Sequence, residues 1–170
     1  MKGIVFSEFV EMVEDKFGED MMDDLIDATN PASGGSYTTV GTYSHEELVN
    51  MVVELSNRTE LPVPALVKTF GLHLADVFTK KFTSFYDEVD NILDFLKKID
   101  NHIHVEVAKL YPDAELPEFS FEESDSGEFL LHYRSTRGFA DLALGLIEGS
   151  AGYFNQTLNI DRQDSMDRNV

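Results

Sequence analysis

The sequence predicts an α+β fold in which a helical N-terminal subdomain is followed by a mixed subdomain, with an antiparallel sheet packed on helices. Three observations predict this class. Apolar residues recur with helical spacing through the first two thirds of the chain, the period shortens to two residues after Pro112, and helical spacing returns over residues 139–154. The 170 residues have the size of a single domain. We divide it into residues 1–60 and residues 61–170, the latter ending in a polar tail at 161–170.

Two helices are predicted near the N-terminus. The first covers residues 5–17, and its apolar face consists of Phe6, Phe9, Val10, Val13 and Phe17. Gly18 suits the position after a helix end, because glycine adopts the left-handed conformation without a steric cost. A shorter helix over residues 20–28 is followed by a loop rich in glycine and serine.

Three more helices are predicted before Pro112. Ser44 and Glu47 have the spacing of a capping box, which predicts the start of the third helix. Pro64 suits the first turn of the fourth helix. Gly71 within that helix predicts a close packing contact, since an interior glycine costs about 1 kcal/mol relative to alanine. The fifth helical pattern covers residues 82–99.

The segment after Pro112 predicts a hairpin. Two short runs rich in Phe and Leu cover residues 116–122 and 128–135, with Ser124-Asp125-Ser126-Gly127 between them as the turn. A last helix over residues 139–154 and a short strand over residues 157–160 complete the predicted elements.

The composition argues against several classes of function. The chain has 13 Lys and Arg against 32 Asp and Glu, a formal net charge of −19. Nucleic acids and anionic membranes bind clustered positive charge, so neither is an expected partner. Cysteine is absent, which excludes disulfides, thiolate metal sites and a cysteine nucleophile. Because no apolar run has the length of a spanning helix and no signal peptide is recognisable, we expect a cytoplasmic protein.

Neighbouring carboxylates do not point to an enzyme. Asp23-Asp24 and Glu46-Glu47 are adjacent on predicted helices, so their side chains diverge. We expect these carboxylates to lie on solvent-exposed helix faces. The chemistry must therefore be sought among the histidines and the strand residues.

His102 and His104 are the first candidates. They are two positions apart, about 200° around a helix, so only one of them can face inward. His104 shares the apolar side with Val107, Ala108 and Tyr111. A histidine on such a face is either a core residue hydrogen-bonded to the backbone or a metal ligand, and the spacing leaves both readings open.

Tyr133, Ser135 and Arg137 form the second candidate site. These residues alternate and would project from one side of an extended backbone, where three donors suit a carboxylate or phosphate group. In the structural alternative, Tyr133 packs in the core, Ser135 caps the next helix and Arg137 pairs with a carboxylate. The motif alone leaves both readings open.

Two further stretches accompany these candidates. They are the opening Met1-Lys2-Gly3-Ile4-Val5-Phe6 and the later Gly145-Leu146-Ile147-Glu148-Gly149-Ser150. With them, the chain resembles the H-NOX domains, a family of heme-nitric oxide/oxygen binding sensors, over about nine tenths of its length.

The resemblance implies a heme b, iron protoporphyrin IX, held between the two subdomains. His104 matches the proximal iron ligand of the family, and Tyr133, Ser135 and Arg137 match the residues that bind the heme propionates. Pro117 matches the proline that presses on the porphyrin and distorts it.

The resemblance also assigns six apolar residues to the heme pocket: Val5, Phe9, Leu74, Phe78, Leu142 and Leu146. Each is also an ordinary core position. Leu142 occupies the place where oxygen-binding members have a tyrosine that donates a hydrogen bond to dioxygen, so the resemblance implies binding of NO and CO over O₂. His73 and Tyr153 are polar groups that would reach the pocket if a helix were rotated.

The implied function is that of a gas sensor. NO would bind a histidine-ligated ferrous heme, weaken the bond from iron to His104 and let the porphyrin relax away from Pro117. The chain would thereby regulate a separate histidine kinase or an enzyme of cyclic-di-GMP synthesis or hydrolysis. The alternative is a heme-free protein–protein interaction module of the same fold.

Two features depart from the family pattern. Some members have a zinc site that includes cysteines, which this chain lacks. The family domain also normally ends in further antiparallel strands, whereas here a polar tail occupies residues 161–170. We therefore expect either a smaller sheet or a truncated sequence.

Overall fold

The computed structural model describes residues 1–123 and 128–164, and it has the predicted α+β class. The described elements, in chain order, are α1 (Gly3–Phe17), α2 (Glu19–Thr29), α3 (His45–Thr59), α4 (Val63–Lys81), α5 (Thr83–Asp87), α6 (Ile92–Lys98), a π-helical segment (Ile99–Ile103), α7 (His104–Leu110), β1 (Glu118–Glu123), β2 (Phe129–Arg134) and α8 (Ala140–Tyr153). The predicted turn Ser124-Asp125-Ser126-Gly127 and residues 165–170 of the predicted tail lie outside the described residues.

The helix ends follow local chemistry. Ser44 is the N-cap of α3, and its hydroxyl accepts a hydrogen bond from the N–H of Glu46 at 3.3 Å. Gly18 ends α1, as predicted, and its positive φ of 94° suits glycine. Its ψ of 157° lies outside the left-handed helical conformation that was expected. Pro62 is the N-cap of α4, which places Pro64 in its first turn.

Two hydrophobic clusters form the core. The first is built from α1 to α4, with half-buried residues of α8 packed against it. The second joins α5 and α6 to the end of α8. We predicted a subdomain boundary after residue 60. However, Leu66, Phe70 and Leu74 of α4 belong to the first cluster, and the buried residues of the second cluster begin in α5. The extent of the subdomains stays a prediction.

Glycines bring α4 and α8 together. A Cβ added to Gly71 would overlap the carbonyl oxygen of Leu142 and lie 2.9 Å from the Cα of Gly145. A Cβ on Gly145 would overlap the carbonyl oxygen of Lys68 in the same way. The predicted packing role of Gly71 is therefore confirmed: the two backbones touch where neither residue has a side chain.

The two strands pair in antiparallel register, with Phe119 opposite Tyr133. Along β2, Phe129, Leu131 and Tyr133 are half-buried, whereas the residues between them are exposed. This alternation confirms the predicted period of two and gives the hairpin one face toward the core.

Two predicted elements are wrong. The helix over residues 82–99 is broken, because α5 ends at Asp87 and Asn91 caps a new helix by accepting a hydrogen bond from the N–H of Asp94 at 2.9 Å. The strand over residues 157–160 does not form; this stretch has no regular structure.

In the described residues, no single helix is both long and apolar enough to cross a membrane. α3 and α4 meet that test only when taken together, and they are bent by 116° at their junction.

Replacement of Gly71 by alanine should destabilise the protein by about 1–3 kcal/mol, because the added methyl group has to separate α4 from α8. Gly152→Ala is the matched control, since a Cβ there meets nothing within 4 Å and alanine is the better helix former. Urea unfolding followed by circular dichroism measures both free energies of unfolding. Equal stability of the two variants would contradict the proposed contact.

Candidate functional site

His104 lies directly after a π-helical turn. The backbone N–H of His104 donates to the carbonyl of Ile99, five residues earlier, which widens the helix at this point. Among residues 99–110, which form the π-helical segment and α7, none is buried. The histidine is thus presented by a segment that is packed lightly against the rest of the protein.

The His104 ring is fixed by a carboxylate. Its Nδ1–H donates to Asp100 Oδ1 at 2.9 Å, and its side chain is 19% exposed. Its Nε2 makes no hydrogen bond to any residue that the structure describes. Burial lowers the pKa of His104 against the opposing effect of Asp100, which favours the neutral imidazole that metals bind.

His102 faces the other way, as predicted. Its side chain is 42% exposed, and its Nε2 lies 3.2 Å from a carboxylate oxygen of Glu88. Of the predicted companions of His104, Val107 is half-buried and Ala108 is exposed, so the apolar side of α7 is narrower than expected.

A row of rings joins His104 to the strand motif. The centroid of Phe119 lies 5.8 Å from that of His104 and 5.4 Å from that of Tyr133. Burial raises the pKa of Tyr133, and hydrogen bonds with the Ser135 side chain and the Phe139 backbone oppose this shift. His104 and Tyr133 therefore lie on the same side of the hairpin.

Ser135 and Arg137 come together in a turn. β2 ends at Arg134, so the prediction that all three motif residues project from one extended strand is wrong beyond that point. The N–H of Arg137 instead donates to Ser135 Oγ at 3.2 Å. The turn still places the Arg137 side chain, which is 15% exposed, close to the tyrosine and the serine.

The Arg137 guanidinium is paired with Glu115. It donates to the carbonyl oxygen of Glu115 at 2.9 Å and to a carboxylate oxygen of the same residue. Pro117 is half-buried and lies between Glu115 and Phe119, immediately before β1. The segment from Glu115 to Pro117 is consequently held by the hydrogen bonds between Glu115 and Arg137.

The six apolar residues predicted for the pocket lie in one cluster. Phe9 and Leu74 are fully buried within it, and Val5, Phe78, Leu142 and Leu146 pack against it while remaining half-buried. These residues come from α1, α4 and α8 and carry no hydrogen-bond donor on their side chains. They provide an apolar wall that is only partly covered by the protein itself.

The two polar groups that could have reached this wall are held elsewhere. His73 Nε2 lies 3.4 Å from the buried carboxylate of Glu8, which is also paired with Lys81 at 2.5 Å. The Tyr153 hydroxyl donates to Asp87 at 2.8 Å at the exposed end of α8. The side chains of His73 and Tyr153 are therefore bound to Glu8 and Asp87 instead of to the apolar wall.

The end of α7 is tied to the N-terminal residues. Lys2 Nζ lies 3.1 Å from Asp113 Oδ1 and 5.4 Å from the ring centroid of Tyr111. Thr42 donates to the same carboxylate at 2.6 Å. Hydrogen bonds from Thr42 and Lys2 lower the pKa of Asp113. These contacts connect the chain after His104 to the first helix.

The donor set fits a heme. A free imidazole Nε2 suits iron, a guanidinium with two hydroxyl groups suits the propionate carboxylates, and a partly covered apolar wall suits the face of a porphyrin. The Phe119 ring links the imidazole to Tyr133 of the strand motif. The turn that contains Arg137 leads into α8, which carries Leu142 and Leu146 of the apolar wall.

Comparison with known proteins agrees with this fit. The sequence profile of the Haem-NO-binding family matches residues 2–162. The chain belongs to the H-NOX family. Its members are heme-based gas sensors, and the H-NOX domain binds heme.

Solved H-NOX structures share the fold throughout. The unliganded Fe(II) protein from K. algicida is 38% identical over 92% of this chain and 85% of its own, with a TM-score of 0.87. The S. oneidensis protein in the Fe(II)NO state is 28% identical over 100% and 94%, with a TM-score of 0.90. The IWP-051-bound protein from Shewanella woodyi in the Fe(II)CO state is 40% identical over 99% and 89%, with a TM-score of 0.84.

Sequence reasoning missed two residues of this site. Asp100 precedes His104 by four positions, the spacing at which helical side chains meet, so its contact was available from the sequence. Glu115 pairs with Arg137 across 22 positions, and no local pattern indicated it.

Proposed function

We propose that this H-NOX domain is a gas sensor that binds NO, and also CO, at a ferrous heme b ligated by His104. The observation that carries the proposal is the state of the imidazole: Asp100 occupies Nδ1, burial favours the neutral ring, and Nε2 is left for a metal. The Phe119 ring contacts both this imidazole and the ring of Tyr133, with centroid distances of 5.8 Å and 5.4 Å.

Each part of the site has a proposed role. The heme iron supplies the centre at which the gas binds. Tyr133, Ser135 and Arg137 hold the propionates by hydrogen bonds and charge, and Pro117 presses on the porphyrin. The apolar residues that enclose the ring are Val5, Phe9, Leu74, Phe78, Leu142 and Leu146.

The apolar wall supports selectivity for NO and CO over O₂. Bound dioxygen is polar and is stabilised by a hydrogen-bond donor, whereas NO binds ferrous heme strongly without one. Leu142 is half-buried and packs against the first cluster, and it has no donor to offer. The NO-ligated and CO-ligated states of the S. oneidensis and Shewanella woodyi proteins support the same gases here.

The proposed output is a change of conformation, not a catalysed reaction. α7 begins at His104, and the segment around it contains no buried residue. Segments with little burial open or shift at small energetic cost. The position of α7 therefore depends on whether His104 is held as a ligand, and this is how NO would be reported to a partner.

We further propose that the domain acts in the cytoplasm on a separate histidine kinase or on an enzyme that makes or hydrolyses cyclic-di-GMP. With a formal net charge of −19, the surface favours a partner with a basic docking patch.

His104→Ala should abolish histidine ligation of the heme. His102→Ala should leave it intact, because the half-buried His102 is directed toward Glu88. After heme reconstitution, visible spectra of the wild type and of His102→Ala should show a Soret band that shifts on NO addition. The His104→Ala spectrum should lack the features of histidine ligation. A wild-type protein that stays colourless after reconstitution would instead support the heme-free interaction module.

Leu142→Tyr should produce a ferrous-oxy complex that the wild type does not hold, because it places a hydroxyl donor on the apolar wall. Leu142→Phe adds a ring of similar size without the hydroxyl and serves as the control. Oxygen-binding isotherms of the three ferrous proteins measure the difference. A stable oxy complex in the wild type argues against the proposed gas selectivity.

The affinity for a basic kinase or cyclic-di-GMP enzyme should differ between the NO-bound and unliganded states, because α7 depends on the ligation of His104. Isothermal titration of the purified partner against both states measures this difference. The heme-free protein provides a third state for comparison. Equal affinities in all three states would count against a conformational output.

A further inference from the structure

Asp100 uses both of its carboxylate oxygens. Oδ1 accepts the Nδ1–H of His104 at 2.9 Å, and Oδ2 accepts the backbone N–H of Phe119 at 2.8 Å. The first contact lies within one helical turn and the second spans 19 positions to β1. The side chain of Asp100 therefore bridges the helix that presents His104 and the hairpin.

We infer that Asp100 is a positioning residue, which sets the tautomer and orientation of His104 for iron and couples this imidazole to the start of β1. The inference rests on the proposed function, because it concerns how the proposed ligand is held.

The chemistry of the pair sets the tautomer. A carboxylate only accepts hydrogen bonds, so the ring proton must reside on Nδ1 and the lone pair must reside on Nε2. A carboxylate behind a ligating imidazole also increases its basicity and strengthens the bond from nitrogen to the metal. Asp100 thus acts on a metal at His104 without touching it.

The second oxygen restrains the carboxylate. Without the Phe119 N–H, the Asp100 side chain, which is 30% exposed, could rotate into solvent, and the His104 ring would follow no fixed direction. The Phe119 ring also packs 5.8 Å from the His104 ring, so backbone and side chain of one strand residue both restrain the site. A displacement of His104 would consequently also move Phe119, which lies two residues after Pro117.

The lightly packed helix makes this bridge important. The π-helical segment and α7 contain no buried residue, so little apolar packing holds His104 in place. Polar contacts attach this stretch instead: the bridge through Asp100, the contact of His102 with Glu88, and that of Asp113 with Lys2 just after α7.

The test compares Asp100→Asn with Glu106→Gln in the heme-loaded protein. Asparagine keeps the shape of Asp100, but it has no charge and only one acceptor oxygen. It therefore cannot accept the hydrogen bonds from both His104 and Phe119. Glu106→Gln removes one negative charge two residues from His104, where the carboxylate of Glu106 is paired with Lys109. Far-ultraviolet circular dichroism establishes that both variants are folded.

In Asp100→Asn we expect the iron–histidine stretching band in resonance Raman spectra to move to lower frequency and the midpoint potential to become more positive. Loss of heme to a scavenging protein should be about 10–100-fold faster, the usual effect of removing such an outer partner. The Phe119 amide should also exchange its hydrogen faster. Glu106→Gln should retain the wild-type value in each measurement.

Three results would overturn the inference: a wild-type Raman band and potential in Asp100→Asn, an equal change in Glu106→Gln, or unchanged exchange at Phe119. Failure of the proposed function has a different signature, since a wild type without histidine-ligated heme would show no iron–histidine band at all.

Discussion

The close approach of α4 and α8 at Gly71 and Gly145 is the contact on which the candidate site depends. It places Leu74 of α4 beside the part of α8 that carries Leu142 and Leu146, so the apolar wall is assembled from two helices in direct backbone contact. α8 begins three residues after Arg137, which fixes the polar turn at one edge of that wall. A side chain at either glycine would therefore change the spacing of the wall and its distance from the turn.

The short segment before β1 is fastened at both ends by carboxylates. The Glu115 side chain and carbonyl bind Arg137, and the Phe119 N–H binds Asp100. Pro117 lies between these two attachments, and its ring restricts the backbone further. The role proposed for Pro117, to press on a porphyrin, requires a rigid backbone. Here one neighbouring residue is tied to Arg137, which is proposed to bind a propionate, and another to Asp100, which is proposed to position His104.

Much of this arrangement could be read from the sequence, because it depends on local periodicity. His102 and His104 are about 200° apart around a helix, which indicated that His104 is the one that faces inward. The period of two residues predicted which face of the hairpin is directed toward the core. Periodicity failed where hydrogen bonds interrupt it: residues 82–99 read as one apolar helix, yet Asn91 caps a new one inside them. Residues 157–160 have the composition of a strand but no partner strand among the described residues. The link from Asp100 to β1 is a tertiary contact, and no spacing could reveal it.

The site also resolves an electrostatic conflict. A heme carries two propionate carboxylates, and this protein already has a formal net charge of −19. The proposed propionate ligand Arg137 must therefore have N–H groups that its protein partners do not use. Arg137 already pairs with Glu115, but that partner is 75% exposed and engages only the two terminal nitrogens. A guanidinium has further N–H groups, and an ion pair with an exposed carboxylate contributes little energy. Glu115 therefore orients the arginine and leaves it N–H groups for the propionate that we propose it binds.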